Sequence, residues 1–96
     1  MSTPQQRVHD TTRRLLELLA SDDSHTPALV PEAIALRTEL AVATAETGQL
    51  EDAFVQVDEL LKDAQREYGP DHELVGPVRA AVSRVETLAR RALDEG

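Results

Sequence analysis

The chain contains no cysteine, no tryptophan, a single lysine (Lys62) and only two aromatic side chains, Phe54 and Tyr68. Without cysteine, disulfides, thiolate metal sites and cysteine nucleophiles are all excluded. With so few aromatic rings, a core must be assembled from Leu, Val and Ala, which suits closely packed helices. No stretch approaches the ~18 apolar residues of a membrane span. The opening "MSTPQQRVHDTTRRLLELLA" lacks a basic segment followed by an unbroken apolar run. A soluble, cytoplasmic protein is therefore expected. The glycines are few and scattered: Gly48, Gly69, Gly76 and Gly96 form no phosphate-cradling pattern, so no nucleotide cofactor is expected. His9, His25 and His72 are the only histidines, none paired at i, i+4, and no HExxH motif occurs. His25 beside Asp22 and Asp23 could hold a divalent cation weakly, but this polar cluster reads more simply as a solvated loop. No metal and no cofactor is expected.

What is present in excess is acid. The net charge is −8 over 96 residues, and residues 32–73 hold 11 acids against 3 bases. An acidic middle repels phosphate backbones and anionic lipid, which argues against nucleic acid and membrane as partners. A protein or peptide with a basic or mixed surface fits better. The nine arginines and abundant alanine match the composition of a GC-rich bacterial genome.

A chain of this length is expected to form a single domain, residues 1–96. No segment shows the alternation of a half-buried strand, and four show helical periodicity, at about residues 4–20, 27–47, 50–68 and 72–94. The expected fold is all-α, a small antiparallel four-helix domain. The first helix opens on "STPQQ": Thr3 can cap, Pro4 suits the first helical position, and Gln6 can complete a capping box. The second starts at either Thr26-Pro27 or Pro31; if it includes both prolines, Pro31 should kink it. Gly48 suits its end. The third carries Glu51 and Asp52 in its first turn, where acids favour the dipole, and stops at Gly69-Pro70. Asp71 is expected to cap the fourth, with Gly76-Pro77 bending it near its start.

Asp71 and His72, side by side in "YGPDHELVGP" (68–77), are the one pair that suggests catalysis. Adjacent residues on a helix do not face each other, and no Ser or Thr lies in a nucleophile motif. The stretch reads as a helix stop, a turn and a helix start. A small enzyme or metal protein using Asp71 and His72 is the remote alternative.

"LRTELAVATAETGQLEDAFVQVDELLKDAQREYGPDHELVGPVR" (36–79) resembles a tetratricopeptide repeat (TPR) of the long, kinesin-light-chain-like kind, common in bacterial signalling proteins and often carrying a "GPDHP" junction. Leu40-Ala41 match the small-residue pair of the repeat's first helix, Gly48 the inter-helix glycine, and Ala53 the small residue early in the second helix. Arg37 stands where an aromatic is usual, Leu60 where alanine is, Glu73 where proline is, and Gly76 where leucine is. The resemblance implies a helical hairpin with flanking helices. It also implies that first-helix residues line a concave surface gripping a peptide or partner.

The second helix has two apolar faces. Leu36, Leu40 and Ala43, with Ala33, are expected to pack on the third helix. Ala35, Val42 and Ala45, with Thr38, form the other face, edged by Glu32, Glu39 and Glu46 at intervals of seven. By the resemblance, Ala35, Thr38, Val42 and Ala45 would floor a groove, and Glu39 and Glu46 would select a basic partner. The expected function is thus a non-enzymatic interaction module, an adaptor docking a partner helix or peptide. The alternative is a helical homodimer that buries the second face against its own copy. Arg84, Arg90 and Arg91, interleaved with Glu86, Asp94 and Glu95, read as a solvated face.

Overall fold

A computed structural model describes residues 3–21 and 30–95. These form four helices and no strand: α1 (Pro4–Ser21), α2 (Pro31–Glu46), α3 (Leu50–Tyr68) and α4 (Val75–Glu95). The all-α expectation is met. The molecule is slab-shaped, 44 × 29 × 20 Å, its thinnest dimension close to two helix diameters.

The helix ends follow local chemistry. At α1 the Thr3 hydroxyl accepts from the Gln6 N–H at 3.1 Å, and the Gln6 side chain accepts from the Thr3 N–H at 2.9 Å. This is the reciprocal capping box. α2 begins at Pro31, not at Pro27, because Val30 is extended (φ −65°, ψ 152°). A residue preceding proline is pushed out of the α region, so Pro31 starts the helix and kinks nothing. The other candidate start, Thr26-Pro27, lies outside the described residues, as does the Asp22–Asp23–His25 cluster.

α2 ends in a Schellman motif. Gly48 N–H donates to the Ala45 carbonyl at 3.0 Å and Gln49 N–H to the Thr44 carbonyl at 3.3 Å. The reversal needs a left-handed residue, and Gly48 supplies φ 92°.

The α3–α4 junction corrects two expectations. Asp71 is exposed, and it is His72 that serves the turn: its Nδ1 accepts the Leu74 N–H at 3.1 Å, while its ring lies 4.9 Å from that of Tyr68. The resulting turn delays α4 to Val75 rather than residue 72. Pro77 consequently falls in the first helical turn, where its missing N–H costs no hydrogen bond, so it does not bend the helix.

The core has two ends. At one, Ala41 and Ala45 of α2 meet Ala53 and Val57 of α3 and Ala81 and Val85 of α4. At the other, Ile34 of α2 meets Leu60 and Ala64 of α3 and Val75 and Val78 of α4. Their order along each chain segment makes α2 and α4 parallel, with α3 antiparallel to both. α1 packs on α2 alone, whereas α2, α3 and α4 all touch one another. Arg7, early in α1, pairs with Glu46, at the end of α2, at 2.8 Å, so these two helices are antiparallel.

Candidate functional site

The two faces of α2 are assigned the opposite way from the sequence expectation. Ile34, Ala41 and Ala45 face α3 and α4. Leu36 instead borders a cleft with Arg14 and Leu18 of α1. Ala33 and Ala43 are fully buried yet belong to neither end of the core. With a 100° step per residue they lie on the α1 side of the helix. Periodicity recognises that α2 is apolar on two sides. It cannot tell which neighbour takes which side, because a helix buried all round carries no dominant stripe.

The six residues expected to contact a partner therefore separate. Ala45 is only 4% exposed and lies in the core. Val42 is half-buried and packs against the same alanine-rich cluster. Glu46 is engaged by Arg7. Glu39 is exposed beside the groove face, unlike Glu46.

Ala35 and Thr38 do share a cleft, together with Pro31, Ile34, Leu74 and Pro77. It lies between the start of α2 and the start of α4, which the parallel arrangement brings side by side. The lining is nearly all carbon. Thr38 spends its hydroxyl on the Ile34 carbonyl at 2.7 Å. Pro31 and Pro77 have no N–H to offer. The cleft lies at the end of the core built from Ile34, Leu60, Ala64, Val75 and Val78, not at the Gly48 end.

Its volume is about 230 Å³. That accommodates a large apolar side chain but falls short of the ~300–1,000 Å³ of typical small-molecule pockets. Pro31, Ile34, Leu74 and Pro77 were missed as lining residues from sequence. The signal available was the pairing of two proline-containing helix starts, which acquires meaning only once α2 and α4 are known to be parallel.

Two other clefts are less suited to an apolar ligand. The one between α1 and α2, about 420 Å³, is bordered by Arg14, Glu17 and Glu32. The other, at the start of α3, is lined by Gly48, Gln49, Leu50, Glu51 and Asp52.

Charge around the site is mainly acidic. Glu32, Glu39, Asp71 and Glu73 are exposed on the segments that bear the cleft residues, with Arg79 as the nearby base in sequence. Arg37 is drawn towards Asp63 of α3, 3.8 Å away. On α3, Asp63 also pairs with Arg66. Asp58 hydrogen-bonds Lys62 and, with its charge, raises the pKa of that exposed ammonium. Among the described residues no group of three or more His, Cys, Asp or Glu could hold a metal ion, and no helix is long and apolar enough to cross a membrane. Compared with protein-family models, curated proteins and solved structures, the chain matches none.

Proposed function

We propose that this chain is a non-enzymatic interaction module of the cytoplasm, a TPR-like adaptor. Its cleft between α2 and α4 takes an apolar side chain from a basic peptide or protein segment. The observation that carries the reading is the convergence of Ala35, Thr38, Ile34, Leu74 and Pro77 on one carbon-lined groove, with exposed Glu32, Glu39 and Glu73 on the same chain segments. The groove supplies burial, and the carboxylates supply steering and choice of sign. The prolines and the occupied Ile34 carbonyl leave few backbone partners, so a side chain inserts and the partner's backbone does not add as a strand. The resemblance of residues 36–79 to a tetratricopeptide repeat supports the same geometry, since α2 would be the first helix of the repeat.

The test is titration of isotope-labelled protein with a panel of amphipathic peptides of equal apolar content, basic in one half of the panel and acidic in the other. Basic members are expected to shift the amide signals of Ala35, Thr38 and Leu74. Ala35→Arg should abolish the response with the helical circular dichroism intact, and Glu39→Lys should weaken the basic peptides selectively. A panel that leaves those three signals unmoved, or moves them equally with acidic peptides, sinks the reading.

A further inference from the structure

The turn between α3 and α4 is organised by one residue whose side chain can change its charge. The His72 N–H donates to the Gly69 carbonyl at 3.2 Å, and the His72 carbonyl accepts the Val75 N–H at 3.0 Å. Its ring nitrogen Nδ1 accepts the Leu74 N–H at 3.1 Å, and the ring lies 4.9 Å from that of Tyr68. Nδ1 accepts a hydrogen bond only while it carries no proton. The ring in this turn is therefore the neutral form protonated at Nε2. The residue that it holds, Leu74, lines the α2–α4 cleft opposite Ile34, Ala35 and Thr38.

We propose that His72 is a protonation latch on the α2–α4 cleft: the neutral ring fixes Leu74 in the cleft wall, and protonation releases it. An imidazolium donates from both nitrogens and accepts at neither, so charging the ring breaks the bond to Leu74. The charge also sits at the start of α4, where the helix dipole disfavours a cation. Both effects have the same sign. The bond is present while the ring is neutral and is lost as falling pH protonates it. Leu74 is the sensitive point because it precedes α4, whose first residue, Val75, is fully buried in the core. Leu74 itself is only half-buried, so less packing opposes its movement. That the latch governs a partner rests on the docking function proposed above; that it governs Leu74 does not.

The charged groups around the ring work with the latch. Asp71 and Glu73 flank His72 in the chain and are exposed, and their carboxylates attract an imidazolium. On α3, Tyr68 faces the ring, and the last turn carries exposed Arg66 and Glu67, with Arg66 paired to Asp63. The first turn of α4, Val75 to Val78, has no ionisable side chain. Nor do the α2 residues that share the cleft with Leu74, where Glu32 is the neighbouring acid in sequence. His72 is itself exposed, so a proton reaches the ring without unfolding the chain. His9 stands on α1, which packs on α2 and not on α4.

The experiment is a pH titration of the isotope-labelled full chain by nuclear magnetic resonance, without and then with a basic amphipathic peptide that contains no histidine. While neutral, the His72 ring should show the tautomer protonated at Nε2. As that ring titrates, the protection of the Leu74 amide should fall about three- to tenfold, the worth of one hydrogen bond. The Leu74 and Ile34 methyl signals should move along the same curve, and peptide affinity should drop by a similar factor. His72→Asn keeps a side-chain acceptor that does not titrate, so its Leu74 protection and peptide affinity should hold over the same range. His72→Ala should show low Leu74 protection at both ends. A neutral His72 ring protonated at Nδ1, or Leu74 signals that ignore its titration, overturns the proposal. So does a His72→Asn chain that responds to pH as the wild type does. The ring and Leu74 signals are read without peptide, so a peptide that fails to bind sinks the docking function alone. One that binds equally well at both ends sinks the latch.

Discussion

α1 and the α2–α4 unit are held by different physics. Within the unit, three helices contact one another around side chains that are wholly out of water, including Leu60, Val57, Val75, Val78 and Val85. α1 is attached to one neighbour, through a buried threonine, half-buried leucines and the Arg7–Glu46 pair. The first arrangement is cooperative, because losing any helix exposes surface on the other two. The second is an appendage whose detachment need not unfold the rest. Local stability should therefore be graded along the chain, with α1 as its least protected helix.

The comparison is broken most severely from the inside. Among the described residues Leu60 is the largest side chain that is fully buried, and Leu60→Ala should cost about 2–5 kcal/mol. Against the roughly 5–15 kcal/mol total stability of a domain, this should lower the melting temperature sharply. Chemical denaturation should show α2, α3 and α4 lost together and α1 lost no later than they are, because α1 has no support without α2. A transition in which α1 melts at its wild-type midpoint would contradict that dependence.

Thr3→Ala should have a smaller and more local effect. It removes the hydroxyl half of the capping box at a cost of about 0.5–2 kcal/mol. Amide hydrogen exchange should accelerate through the first turns of α1 while the amides of Leu60 and Val78 keep their protection. Equal acceleration in both places would mean that the two regions form one cooperative unit.

Arg7→Ala should have the smallest effect. The pair it breaks is about one-third exposed on the arginine side and about one-quarter on the glutamate side. At that exposure solvent screening keeps its contribution within roughly 1 kcal/mol. The expected signature is faster exchange in α1 and a small loss of midpoint that high salt erases. If salt leaves the loss unchanged, the arginine's aliphatic stem, not its charge, is what holds the helix.

Much of the architecture was legible one residue at a time. The Thr3–Gln6 box, the Gly48 reversal and the stop at Gly69 depend on interactions spanning a few residues, so composition and spacing suffice to find them. The apolar stripe of α3 is of the same local kind, because Ala53, Val57, Leu60 and Ala64 recur at four, three and four residues and all face the core. The misreadings share a different cause. The extended conformation of Val30, the His72 turn and the first-turn position of Pro77 depend on where competing local signals resolve. Asp71 is the cap by type, yet the turn past Tyr68 leaves it exposed and brings His72 to the Leu74 N–H instead.

The candidate site was half legible for a related reason. Ala35 and Thr38, grouped on one face of α2 by their spacing, do line one cleft, but Ala45, two turns further along from Thr38, is taken by α3 and α4. Glu46 looked like a free rim charge and is partnered by Arg7, 39 residues earlier. Nothing within a window of a few turns encodes that meeting.

By itself, then, the sequence determined that this chain is all-helical, where its helices stop, that its core is aliphatic and that its middle is acidic. Those properties follow from backbone preferences and transfer energies that act locally. Only the tertiary structure decided which side of α2 meets α1 and which meets α3 and α4. It also decided that the starts of α2 and α4 lie together over a groove. Each of these depends on which surfaces bury each other, a choice made by the summed packing of all the helices and encoded in none of them alone.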